Sequence, residues 1–269
     1  MHRHAILSAL VLGLALTGGG VQASDSHTHH LQCSFNSDYD VQIKPNGIAF
    51  TREHGLPGDV FMHDGQLRVD GQTVTVSADD AARLREYEHQ VRVLVPAMAD
   101  IARDGVDIGY SALTTVVATL ADNGDERTRM LQKLHDKHVV ALQQIDGSLG
   151  HGFWKAGDDG EAFGNNLQET IADMVGSITG EVLKDALSSD PSKLAALEAR
   201  TNTLDTTIDK AVDEPADKLT ARAEALCPQF GQLQQLQQQF QFRLSHGERL
   251  QLFSLDTDSA NKASQYAER

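Results

Sequence analysis

Nowhere does the sequence hold an apolar run long enough to cross a membrane as a helix, which takes roughly 20 residues. The two nearest, Ala5 to Leu16 and the uncharged stretch Ile108 to Ala121, both fall short. Cations are scarce as well: 23 Lys and Arg stand against 38 Asp and Glu, a formal charge of −15. Such a surface repels nucleic acid and anionic lipid headgroups and favours solubility, so neither is an expected partner. Cysteine is limited to Cys33 and Cys227, and tryptophan to Trp154. Catalytic signatures are missing too. Gly109-Tyr110-Ser111-Ala112-Leu113 approaches the G-x-S-x-G nucleophile elbow, but Leu113 stands where the second glycine belongs. The surroundings are also helical rather than strand–turn–helix. No catalytic residue is assigned, no cofactor is implied, and enzymatic activity is not the expected reading.

What is present begins with an export signal. Met1 to His4 is a short basic region, Ala5 to Leu16 is apolar, and Val21-Gln22-Ala23 has the small-x-small form of a signal peptidase site. Residues 1–23 therefore read as a signal peptide cleaved after Ala23, and no cysteine follows to take a lipid anchor. The expected location is periplasmic. In such an oxidising compartment an isolated cysteine pair most simply forms one disulfide, Cys33 to Cys227, the alternative being two free thiols.

Residues 24–32 read as a polar, flexible N-terminus carrying His27, His29 and His30. A short histidine tract is a compositional signal for copper or zinc, and metal binding by these three residues is one alternative function. A metal-assisted hydrolase drawing on His54, His63, His135 or His138 is another. It requires at least three of those side chains to converge in a cleft.

From Tyr39 onward the pattern changes to alternation. Tyr39, Val41 and Ile43 alternate with polar neighbours, and Pro45-Asn46-Gly47 turns the chain into Ile48 to Thr51. Val60 to Met62, Leu67 to Val69 and Thr73 to Val76 follow, separated by Asp64-Gly65 and Asp70-Gly71. Asp-Gly supplies the positive φ angles of tight hairpins, so residues 33–76 are expected to form a small antiparallel β-meander.

Ser77 then caps a helix in which Leu84, Tyr87, Val91, Leu94, Met98 and Ile101 recur every three or four residues. Pro96 is expected to kink or end it near Val95. Ile108 to Ala121 reads as a helix buried nearly all round, and Leu131, Leu134, His138, Leu142 and Ile145 as the stripe of the next one. Gly147 to Gly164 is a glycine-rich break holding Phe153, Trp154, Asp158 and Asp159. It is the candidate binding loop, set against a linker whose aromatics are pinned to the core.

Later stripes, Leu167 to Leu187 and the heptad-spaced Leu194 to Ala211, suggest long amphipathic helices and coiled-coil-like seams. In the Gln-rich run, Leu226, Leu233 and Phe240 repeat every seven residues, as in a helix with a Gln-coated exterior. Residues 77–245 are thus expected to form a helical region of the same domain. Arg249 to Leu255 reads as a short final strand, and residues 246–269 as a mostly disordered polar tail.

Cys33, the hairpin Val69 to Val76, the helix after it and a second cysteine in a late helical segment together resemble the YggN-like family. These are bacterial proteins with a signal peptide, held to be periplasmic and of unknown function. The resemblance covers roughly Cys33 to Leu244. It implies location and a meander plus helices bracketed by two cysteines, and it supplies no catalytic residue. The expected fold is α+β, a small N-terminal antiparallel meander packed on a mostly helical remainder. The expected function is that of an exported, soluble envelope factor, non-catalytic, binding another envelope protein or serving a structural or chaperone-like role.

Overall fold

A computed structural model describes residues 34–121, 123–156, 207–245 and 247–256, together with positions 192, 195, 198 and 199. The fold is α+β. Strands β1 (Ser34–Asn36), β2 (Asp40–Lys44), β3 (Gly47–Thr51), β4 (Asp59–His63), β5 (Gln66–Val69) and β6 (Gln72–Val74) precede all the helices. The last five form an antiparallel meander, and β7 (Phe153–Trp154) adds to its far edge beside β2. Alternation does what the pattern predicts: Val41, Ile48, Phe50, Val60, Met62, Leu67 and Val69 are buried. Asp64 (φ 45°) with Gly65 (φ 78°), and Asp70 (φ 48°) with Gly71 (φ 79°), take the two positive-φ positions of mirror-image hairpin turns.

Helix α1 (Ala78–Leu120) starts where Ser77 Oγ accepts the Asp80 amide at 3.1 Å. It continues through Pro96, so of the two outcomes expected there, a kink or an end near Val95, the end is corrected. Pro96 itself is exposed, while Leu94, Val95 and Ala99 on either side are buried. Packing on both sides of the proline outweighs the lost backbone bond, a cost of about 3 kcal/mol.

Asn123 Oδ1 caps helix α2 (Gly124–Gly147) by accepting the Asp125 and Glu126 amides. α2 folds back against the second half of α1 around a small separate core of Val117, Ala121, Met130 and Leu134. Along Ile108 to Ala121 only Val117 and Ala121 are buried, so the helix expected to be enclosed all round is half-covered instead. The deepest residues of α2 are Met130, Leu134 and Ala141, a stripe rotated from the expected one, which leaves His138 half-buried.

After a π-helical turn at Asp209–Asp213 come α3 (Glu214–Glu224) and α4 (Cys227–Gln238). α4 stops before Phe240, so the seven-residue spacing there does not mark one helix. Residues 240–245 and 247–253 run back as a strap, with Phe240, Phe242 and Leu244 buried at every second position, then Leu250, Leu252 and Phe253. This corrects the expected polar tail for residues 247–256. The expected final strand shortens to β8 (Ser254–Asp256), which pairs antiparallel with β1 in a separate two-stranded ribbon. The main core joins the meander, α1, α4 and the strap.

Candidate functional site: an apolar pocket beneath Trp154

The strap carries no regular sheet hydrogen bonds through its buried stretch, so its backbone groups need other partners. Gln237, buried on α4, supplies them. Its Oε1 accepts the Leu252 amide at 2.6 Å and the Phe253 amide at 3.3 Å, and its Nε2 donates to the Phe253 carbonyl at 2.9 Å. Ser37 Oγ donates to the Leu252 carbonyl at 2.6 Å. Further back, Asp80 Oδ1 accepts the Gln241 amide at 3.1 Å while paired with Arg83 at 2.9 Å. Three buried or half-buried polar side chains thus do for the strap what a neighbouring strand does elsewhere.

Leu252 and Phe253, held in this way, close one side of a cavity of about 60 Å³. Tyr87, Val91, Leu94 and Val95 of α1 form its floor, Phe230 and Leu233 of α4 one wall, and Val41 and Phe50 of the sheet another. These residues are buried, whereas Phe35, Met98 and Trp154 at its margin are half-exposed. The pocket is therefore open on the Trp154 side. Phe35 stacks on Phe230 with ring centroids 4.2 Å apart and meets Trp154 at 6.3 Å.

Its polar groups are Ser37, engaged with Leu252, the indole N–H of Trp154 at the margin, and Tyr87, whose phenol is pushed well above its ordinary pKa by burial and stays neutral. This lining can hold an apolar group. It offers no acid, base or nucleophile.

Of the candidate binding loop, Phe153 and Trp154 form β7, paired to Gln42 and Val41 of β2, with the Ile43 amide donating to the Gly152 carbonyl at 2.8 Å. Asp158 and Asp159 lie outside the described residues, as do His27, His29, His30 and Cys33. Cys227 sits half-buried in the first turn of α4.

The four histidines set down for a hydrolase do not converge, which corrects that alternative. His54 is exposed in the β3–β4 loop, and His63 Nδ1 lies 3.5 Å from Glu88 Oε1 at the end of β4. His138 bonds to Asp107 at 2.6 Å and stacks on Tyr110 across the α1–α2 hairpin, with His135 exposed one turn earlier. Among the described residues no three His, Cys, Asp or Glu side chains are grouped to hold a metal ion. Nor is any described helix long and apolar enough to cross a membrane.

A match to one protein family spans residues 33–253, from the first cysteine to the last buried residue of the strap. The chain belongs to the DUF2884 family, described as a protein of unknown function. No curated protein and no solved structure matches this DUF2884 chain.

Several residues that build the pocket carry no distinctive sign in the sequence. Gln237 is one glutamine among many in its run, and nothing local marks it as buried. Phe35 precedes the alternating pattern, and the alternation of Leu250 and Leu252 is short and flanked by polar residues. That alternation, and the one of Phe240, Phe242 and Leu244 before it, are the signals that point to the strap.

Proposed function

We propose that this DUF2884 chain is an exported envelope protein that acts by binding rather than by chemistry, and that its receptor element is the pocket beneath Trp154. The observation that carries the reading is the pocket itself, an apolar cavity left open between two sheets and two helices, with its polar groups already engaged or neutral. Close packing is the rule in protein interiors, and a cavity with an open side is where a binding function concentrates. The signal-peptide pattern supports export with cleavage after Ala23 and a periplasmic location, in keeping with the likeness to the YggN-like family.

An oxidising compartment also supports a Cys33–Cys227 disulfide. The stacking of Phe35 on Phe230 brings the chain two residues past Cys33 against the chain three residues past Cys227. No free cysteine is found among the described residues.

Xenon tests the receptor reading without presuming a partner, because it enters dry apolar cavities and makes no hydrogen bonds. Methyl NMR under xenon pressure is expected to show saturating shifts confined to Val91, Val95, Leu233 and Leu252. Shifts that stay linear, or spread evenly over both cores, would sink the proposal.

A further inference from the structure

We infer that the pocket takes the end of an unbranched, saturated hydrocarbon chain, the tail of an amphiphile whose polar head stays in solvent. This rests on the binding reading above and adds the chemical class of the ligand. Three observations lead to it.

The first is polarity. Ser37 Oγ is committed to the Leu252 carbonyl, Tyr87 is neutral and buried, and the remaining lining is aliphatic, aromatic or thioether. Almost none of the exposed lining is polar, so a hydroxyl, amide or charge entering this space would give up water for little in return.

The second is size. A cavity of about 150 Å³ takes up benzene. The 60 Å³ here is well under half of that, which suits the narrow end of a chain better than a ring.

The third is the margin. Met98 is an unbranched, adaptable side chain at the opening, and the half-exposed rings of Phe35 and Trp154 offer apolar surface for the carbons that follow. The formal charge of −15 disfavours an anionic head, leaving a neutral or cationic one.

Trp154 is the only tryptophan, so its emission reports on the opening directly. The test is a fluorescence titration of the full mature protein with n-octyl glucoside below its micelle threshold, beside the same compound bearing a hydroxyl on its terminal carbon. Octyl glucoside is expected to give a saturable change, and the terminal hydroxyl to weaken binding at least tenfold, since it would be buried without a partner. Equal affinities would place the chain end outside the pocket and overturn the inference.

Saturation by N-acetyl-leucine amide with none by octyl glucoside would also overturn it, assigning the pocket to a peptide side chain and leaving the binding reading standing. No response to any of these probes, together with no xenon uptake, would remove both. A filled pocket, Val95→Phe, is expected to abolish the octyl glucoside response with the far-UV circular dichroism unchanged. Should that variant not fold, the hydroxyl comparison still decides.

Discussion

Gln237 concentrates in one side chain the hydrogen bonding that a β-ladder spreads over a strand. Replacing it by leucine keeps much of its volume and leaves the Leu252 amide and the Phe253 carbonyl buried without their partner. At about 1–3 kcal/mol for each unsatisfied group, Gln237→Leu is expected to lower unfolding free energy by about 3 kcal/mol in a urea titration. A loss no larger than that from Gln235→Leu, on the exposed face of the same helix, would contradict the latch.

Glu88 makes a second prediction at this scale. Burial pushes its carboxyl up, but hydrogen bonds from Arg92, from the Asp64 amide and from His63 outweigh burial and hold it below its ordinary value. A depressed folded pKa contributes stability that is present above the ordinary carboxylate range and lost as pH falls through the folded value. Thermal unfolding followed downward from pH 5 should therefore fall more steeply in the wild type than in Glu88→Gln. Parallel curves would refute it. Neither residue was legible in advance, because burial of a polar side chain depends on what packs over it from elsewhere in the chain.

Among the elements, the meander was the most legible. Period-2 alternation and two Asp-Gly pairs act locally, and each strand pairs its backbone with its sequence neighbour. Helices α1 and α2 were legible as helices and less so in their extent and burial. Pro96 breaks a helix only where no packing holds the two halves in line, and here Leu94, Val95 and Ala99 are all anchored. Pro96→Ala restores a backbone donor at an exposed position and should stabilise the protein by about 1–3 kcal/mol in denaturant unfolding. Destabilisation would mean that the proline is accommodated by a local geometry the alanine helix cannot keep. The strap was legible only towards its end, as the expected strand from Arg249 to Leu255, because an extended segment held by side chains has no periodic signature beyond a few residues.

For the whole molecule, the organising event is the return of the C-terminal chain to the N-terminal sheet. β1 meets β8, Phe35 meets Phe230, and Leu252 and Phe253 enter the core between α1 and α4. Composition and cysteine placement hinted at such closure without showing its path. A Cys33–Cys227 crosslink enclosing nearly the whole fold would stabilise it by up to roughly 5 kcal/mol through the unfolded state. The Cys33→Ser/Cys227→Ser double variant is expected to melt well below the oxidised wild type and to be unaffected by reductant. Equal melting temperatures for oxidised protein and double variant would argue against that role.

The most direct measurement of the central claim is photocrosslinking in intact cells, with a photoreactive residue placed once at Trp154 and once at His138 on the far hairpin. Adducts of defined mass formed at position 154 and not at position 138 are the expected result, whether the captured mass is that of a lipid or of a protein. Adducts at 138 alone would locate the functional surface on the helical hairpin and contradict the pocket.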